Sequence, residues 1–160
     1  MASLPQLIEE DIGELNSVLQ ELLIKSDAGA TLIIDKGGFI ITQCGRGLEF
    51  DCMTLSALSA ASYAATEGIA QVVGEHNFSS VYQQGDTFSI LVNNVDQFCL
   101  LAVIFKATLS VGAVKYYAAD TIKKIAAQLQ VAQNRDPNQG LDLSMLNMAD
   151  PSSMFKKKSA

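Results

Sequence analysis

Apolar positions recur with two different periods along this sequence, and the two periods predict where helices and strands lie. Three long segments carry apolar residues at three- and four-residue steps and are predicted to be amphipathic helices: residues 4–25, 51–74 and 110–133. Five shorter segments rich in β-branched and aromatic residues are predicted to be strands: residues 31–35, 39–44, 78–83, 87–93 and 97–105. Because the turns between strands are short, neighbouring strands are expected to be antiparallel. The order helix-strand-strand-helix-strand-strand-strand-helix therefore predicts an α/β (α+β) three-layer sandwich around a five-stranded antiparallel sheet.

The second predicted helix is apolar on two different sides. One side carries large residues, namely Leu55, Leu58, Ile69, Val72 and Val73, and the other carries very small ones, namely Ala57, Ala60, Ala61, Ala64 and Gly68. We expect the large side to contact the sheet, since a helix that is apolar on two sides is covered on both. The small side could be covered within the monomer or by a second chain. The polar strand at residues 78–83 is typical of a sheet edge, and together these features favour self-association.

Length and composition indicate one packed domain followed by a different kind of segment. The chain has 160 residues, of which 49% are hydrophobic, and a mean hydropathy of +0.22, which suits one domain with its own core. We expect this domain to span residues 1–133. The linker-like sequence after residue 133 predicts a flexible C-terminal tail at 134–160. Within the tail, the apolar stretch LDLSMLNM at 141–148 leaves open whether the tail is loose or docked.

Charge and cysteine content exclude several classes of function. Eleven Lys and Arg residues against 17 Asp and Glu give a net charge of −6, which argues against nucleic-acid binding. The N-terminus does not have the pattern of a signal peptide, and the longest apolar run is too short to span a bilayer. We therefore expect a cytoplasmic protein without integral membrane contact. The cysteines, Cys44, Cys52 and Cys99, lack metal-ligand spacing, so neither a metal site nor a disulfide framework is expected.

Candidate catalytic chemistry is sparse. His76 is the only histidine and is interpreted as an ordinary loop residue. Arg46, between two glycines, could act as an arginine finger, but a solvated charge at the end of a hairpin is the preferred interpretation. The sequence has no P-loop motif, and the lysines at 156–158 are interpreted as part of a solvated tail. We expect no catalytic residue and no cofactor.

The order of elements and several stretches resemble the Roadblock domain family, which is related to dynein light chains. The resemblance covers about four-fifths of the chain and is carried by TLIIDKGGFIITQCG, LSALSAASYAATEGIAQVVGEHNF with YQQG, FCLLAVIF and SVGAVKYYAADTIKKI. More narrowly, the chain is similar to the bacterial MglB-type GTPase regulators of this family. The resemblance implies that the first and last helices cover one sheet face and the second helix covers the other.

The resemblance also implies a homodimer that binds a small Ras-like GTPase of the MglA type. The third strands would pair and the second helices would pack together, with the dimer interface at Ala57, Ala61, Ala64, Phe78, Val81 and Tyr82. The paired helices would form a flat platform for the GTPase at Ala57, Ala60, Ala61, Ala64, Ala65 and Gly68. Regulators of this type stimulate GTP hydrolysis without an arginine finger, by repositioning the GTPase's own catalytic groups, in cell polarity or motility.

Two other functions remain possible from the sequence. The first is a Roadblock scaffold or adaptor that binds a partner without changing GTP turnover. The second is a small-molecule sensor domain, because folds of this kind often hold ligands. The sequence gives the sensor little support, since few polar residues lie among the apolar ones to orient a ligand, and no small-molecule substrate is expected.

Overall fold

The computed structural model describes residues 3–45 and 49–135, and within them the predicted order of elements is confirmed. The elements are α1 (Glu9–Ser26), β1 (Ala30–Asp35), β2 (Ile40–Gly45), α2 (Cys52–Val73), β3 (Ser80–Gln84), β4 (Phe88–Asn94), β5 (Cys99–Lys106) and α3 (Val111–Asn134). The largest difference from the prediction is the start of α1, which begins at Glu9 and not at Leu4. Ile8 is extended, and its backbone N–H donates a hydrogen bond to the Asp11 carboxylate at 2.9 Å. Leu4 and Leu7 thus contact the core from outside the helix.

The five strands form one antiparallel sheet in the order β2-β1-β5-β4-β3. Side chains alternate between its two faces, and each face has its own apolar cluster. On one face Ile33, Leu101 and Val103 contact the leucines of α1 and the apolar stripe of α3. On the other face Leu32 and Ile104 belong to the cluster that includes the inner side of α2. Two helices therefore cover one face and a single helix covers the other, as the family resemblance implied.

The β1–β2 hairpin holds α2 against the sheet through one close backbone approach. Gly38 has a φ of +95°, in the region that favours glycine, and its N–H donates to the Asp35 carbonyl at 3.0 Å. A Cβ at Gly38 would lie 3.0 Å from the Cα of Ala57 in α2. The turn therefore needs glycine both for its conformation and for the contact with the helix.

Both ends of α2 are capped by the residues that flank it. The Asp51 carboxylate accepts hydrogen bonds from the Thr54 N–H at 3.1 Å and from the Thr54 hydroxyl at 2.6 Å, which satisfies a free donor of the first turn. Gly74 ends the helix with a φ of +77°, and its N–H donates to the Gln71 carbonyl. These two caps set the limits of the helix that carries the candidate site.

A buried ion pair joins the start of α1 to the end of α3. The Arg135 guanidinium donates to both carboxylate oxygens of Asp11, at 2.7 and 2.9 Å, and the Gln128 amide donates to the same carboxylate at 2.8 Å. Asp11 is fully buried, and the hydrogen bonds from Arg135 hold its pKa well below the ordinary value. We call this group, Asp11 with Gln128 and Arg135, the α1–α3 clasp.

The predicted boundary between domain and tail falls at this clasp. The helix α3 continues to Asn134, and Arg135, although assigned to the tail, is bound to the domain through the clasp. The remainder of the predicted tail, residues 136–160, lies outside the described residues, as do Arg46 and the lysines at 156–158. Among the helices that are described, none has the length and apolar character needed to cross a membrane.

Candidate interaction surface

The side of α2 that faces the sheet is made of small and hydroxyl-bearing residues. Its buried members are Ser56, Ser59, Ala60, Tyr63 and Ala70. Because the strands beneath already supply large aliphatic residues, such as Leu32 and Ile104, small residues let the helix lie close to them. The buried Tyr63 hydroxyl has a hydrogen-bond partner, since it donates to the carbonyl of Phe78 in the loop after α2 at 3.0 Å.

The large-residue side of α2 does not contact the sheet, so that expectation was wrong. Leu58 is 63% exposed and Val72 is 87% exposed, and Ile69 and Val73 are also exposed. Only Leu55 of this set is partly buried against the cluster beneath α2. The sheet instead covers a third side of α2, which is rich in serine and alanine. This side is only weakly apolar, so the hydrophobic pattern of the sequence did not identify it.

The small residues that the sequence assigned to a platform are exposed with one exception. Ala57, Ala61, Ala64, Ala65 and Gly68 lie toward the outside of α2. Ala60 is only 6% exposed and belongs to the cluster beneath the helix, so a partner cannot reach it and it is removed from the platform. The reason is angular: Ala60 lies one turn before Tyr63 and on the same side, toward the sheet.

The outward surface of α2 is almost free of charge. The 22 residues of the helix contain one charged side chain, Glu67, and its carboxylate lies 3.9 Å from the Lys36 ammonium. In a chain with 18% charged residues, a helix with this many exposed apolar side chains and one paired charge is exceptional. Contiguous exposed apolar surface of this kind is typical of an interaction site.

The neighbours of α2 divide this surface into two sides. The β1–β2 hairpin borders the small side, where Gly38 approaches Ala57. On the other side, an open groove of about 500 Å³ separates the first half of α2 from β3 and β4. Its walls are mainly apolar: Phe50, Leu55, Leu58, Phe88, Ile90 and Ile104. The groove exists because a single helix covers this face of the five-stranded sheet.

The strand β3 is the edge of the sheet next to this groove, as its polar sequence predicted. Tyr82, Gln83 and Gln84 are exposed, and the ring of Tyr82 stacks on Phe105 on the face that carries α1 and α3. Val81 is half-buried and contacts the cluster on the α2 face. The strand begins at Ser80 rather than at Phe78, so Phe78 lies in the preceding loop, where its carbonyl is bound by Tyr63.

The residues considered for chemistry are not brought together. His76 is exposed in the loop after α2, and Cys44 and Cys52 are partly buried at separate places. Cys99 is fully buried in β5, and burial raises the pKa of its thiol far above the ordinary value, which keeps the thiol protonated and unreactive. Within residues 3–45 and 49–135, no three metal-binding side chains form a cluster.

The α1–α3 clasp is the arrangement that sequence reasoning missed. Asp11 lies four residues before Leu15 on the apolar stripe of α1, and an acid at such a position signals a buried partner. The partner was not identified because Arg135 was assigned to the tail.

Comparisons with known proteins place the fold. No family model matches the sequence, and the search of curated proteins found no significant match. Among solved structures, an MglB with a tetrameric arrangement matches with a TM-score of 0.76 and 25% identity, over 82% of this chain and 99% of that chain. The gliding protein MglB from Thermus thermophilus matches with a TM-score of 0.74 and 25% identity, over 81% and 98%. A Roadblock/LC7 domain from Streptomyces avermitilis has a TM-score of 0.67 at 15% identity, over 73% and 98%, a likeness of fold alone.

Proposed function

Since this chain is a Roadblock domain similar in structure to MglB, we propose that it is a homodimeric regulator that binds a small Ras-like GTPase of the MglA type and stimulates its GTP hydrolysis. The observation that carries the proposal is the outward surface of α2, which is apolar, nearly uncharged and divided into a large-residue side and a small-residue side. Because the two sides differ in the size of their side chains, they suit two different partners.

The large-residue side suits the second copy of the chain. Leu58, Ile69 and Val73 lie on the same side of α2 as the groove and the edge strand β3. If two β3 strands pair, the α2 helix of each copy fills the uncovered half of the other's sheet face, and both grooves close. In this assembly Val81 and Tyr82 lie at the dimer interface, while Phe78 contributes from the loop.

The small-residue side suits the GTPase. Ala57, Ala61, Ala64 and Gly68 leave a flat surface, so that the switch region of a GTPase can lie close to the helix backbone. Ala65, four residues before Ile69, lies nearer the large-residue side and would border the GTPase platform. We therefore assign Ala57, Ala61 and Ala64 to the GTPase platform and no longer to the dimer interface, because these residues lie away from the groove.

The mechanism follows from what such a surface offers. Its exposed side chains are mainly aliphatic and offer a shape for binding, so we propose that it stimulates hydrolysis by binding the hydrolysis-competent switch arrangement more tightly than the others. The GTPase's own catalytic groups then carry out the reaction. A domain of this type acts in cell polarity or motility, in the cytoplasm and without a cofactor.

A GTP turnover assay with the organism's own Ras-like GTPase tests the central step. We expect stimulation by the wild-type protein and its loss in Ala64→Arg, since a long charged side chain blocks close approach. Ala127→Arg, on an exposed alanine of α3, is the matched control and should stimulate normally. Equal stimulation by both variants would place the GTPase elsewhere, and binding without any stimulation would make the protein a scaffold.

Light scattering tests the dimer. The wild-type protein should have twice the chain mass of 17.1 kDa at micromolar concentration. Leu58→Asp should shift it to monomer, because the carboxylate would be buried where the two copies meet. Ile24→Asp, which changes an exposed aliphatic residue of α1, should leave the dimer intact. A monomeric wild-type protein would refute the assembly.

A further inference from the structure

The layer formed by α1 and α3 carries a second concave surface, on the opposite side of the sheet from α2. This crevice has a volume of about 490 Å³ and lies between the two helices. Tyr116 and Tyr117 line it as an edge-to-face pair with ring centres 5.3 Å apart, and Tyr116 is 76% exposed. Leu22 adds an aliphatic surface to the same lining. Leu22 itself is buried, so the contacts that the crevice offers to an occupant are the exposed faces of the two tyrosines.

The charges around the crevice leave one cation available. Glu21 is paired with both Lys25 and Lys124, and these lysines lower its pKa to about 2. Asp120 also pairs with Lys124, at 3.0 Å. Lys123 lines the crevice as well, and it forms no ion pair with another described residue. An occupant with an acidic group among apolar side chains would complement this site.

The chain leaves α3 on the same side of the sheet as this crevice. The α1–α3 clasp fixes Arg135 against the start of α1, at the opposite end of the two helices from the crevice. Along the helix axis, Lys123 lies about 18 Å and Tyr116 about 28 Å from Arg135. Six extended residues cover about 20 Å, so the chain after Arg135 is long enough for residue 141 to lie level with Lys123 and for the next residues to contact the tyrosines.

We propose that the segment at residues 141–148, Leu-Asp-Leu-Ser-Met-Leu-Asn-Met, docks in the crevice between α1 and α3 of its own chain. Five of its eight residues are apolar and suit the exposed faces of the two tyrosines, and Asp142 suits Lys123. The groove beside α2 is the less accessible alternative, because the segment would have to pass around an edge of the sheet to reach it. This inference does not depend on the proposed binding of a GTPase.

Nitration of tyrosines by tetranitromethane, read by peptide mass spectrometry, tests the proposal on the full chain. The double variant Leu143→Asp with Leu146→Asp removes two apolar contacts, which lowers the docking equilibrium by roughly 100-fold. We expect Tyr116 to be nitrated severalfold faster in this variant than in the wild type. The control variant Ser152→Asp with Ser153→Asp adds the same charge outside the segment and should react as the wild type does. Tyr82, on the distant edge strand, serves as the internal reference when the variants are compared at one protein concentration, because the proposed dimer would cover it.

A variant on the receiving surface makes the test independent of the tail substitutions. Lys123→Glu should also accelerate the nitration of Tyr116, because its carboxylate repels Asp142. Equal Tyr116 rates in the wild type and the Leu143→Asp, Leu146→Asp variant would overturn the proposal. Protection that increases with protein concentration would overturn it too, since it would place a second copy in the crevice.

Discussion

Replacing Gly68 by alanine should separate the stability of the fold from the use of the α2 surface. Gly68 lies in the interior of α2, and a Cβ added there would meet nothing within 4 Å. Glycine in a helix interior is less favourable than alanine by about 0.8–1.0 kcal/mol. Gly68→Ala should therefore raise the free energy of unfolding by about 1 kcal/mol.

The same methyl group should weaken the proposed partner's binding. If a GTPase lies directly on the small-residue side of α2, a Cβ at Gly68 forces the two surfaces apart, as an extra methylene does in a packed core. Such overpacking costs about 1–3 kcal/mol, which corresponds to a loss of affinity of roughly 5- to 150-fold. Stability and binding should thus change in opposite directions at this residue.

Gly13 provides the matched control. It is also exposed and inside a helix, α1, and a Cβ there likewise meets nothing within 4 Å. Gly13→Ala should give a similar gain in stability and unchanged GTPase binding, because α1 lies on the other face of the sheet. The gain is measured by urea unfolding at fixed protein concentration, and affinity by calorimetry with the GTPase bound to a non-hydrolysable GTP analogue.

Two outcomes would refute the reasoning at different steps. If Gly13→Ala stabilises the protein and Gly68→Ala does not, the space around Gly68 is filled in solution in a way the monomer does not reveal. If both variants are stabilised and both bind the GTPase normally, no partner approaches α2 closely at Gly68, and the assignment of the small-residue side fails there.

Three further predictions concern the hairpin, the clasp and the arginine outside the described residues. Gly38→Ala should destabilise the fold by about 2–4 kcal/mol in thermal or urea unfolding, because a positive φ and a Cβ 3.0 Å from the Cα of Ala57 are both unfavourable; an unchanged midpoint would contradict the close approach. Asp11 has a lowered pKa in the folded protein, so its contribution to stability is present above about pH 4 and is lost as the pH falls further. Asp11→Asn should be less stable than the wild type at pH 7 and lose less between pH 5 and 2, and parallel curves would exclude the clasp as the cause. Arg46→Ala should leave GTPase stimulation nearly intact, whereas a loss approaching 10³–10⁵-fold would identify an arginine finger.

The elements were predictable from the sequence because local patterns determine them. The periodic leucines of α1, the β-branched runs of β1 and β5 and the glycine turn at Gly38 each leave a signal within a few residues. The start of α1 was placed too early because Leu4 and Leu7 continue its periodicity while lying outside the helix. The spacing of apolar residues indicates which positions are buried, and an extended segment that packs against the core, such as the one with Leu4 and Leu7, also has buried positions.

The orientation of α2 was not predictable in the same way. A hydrophobic count favours Leu58 and Val72 over Ser56 and Ser59 for the buried side, yet the structure buries the serines. The hydroxyl of Ser56 donates to the carbonyl of Cys52 in its own helix at 2.7 Å, which lowers the free-energy cost of its burial. Which side a helix turns to a sheet depends on the volume already supplied by the strands, and that volume is set by residues distant in sequence.

The clasp needed a pairing over more than a hundred residues. The position of Asp11 on the apolar stripe indicates a buried partner, but its contact with Arg135 follows only from the antiparallel arrangement of α1 and α3. From the sequence alone, such an ion pair can be predicted only if one of its two residues is already expected to be buried.

The α1–α3 clasp also indicates where the protein can be immobilised or labelled without covering α2. It brings the backbone of Ile8 and the side chain of Arg135 to the same carboxylate, so the first and last described segments meet at one end of the two-helix layer. An affinity tag, fluorophore or surface linker placed before α1 would therefore be attached to the layer on the opposite face of the sheet from α2, and would leave α2 uncovered. Immobilised in this way, the domain would present its apolar helix to any protein passed over it.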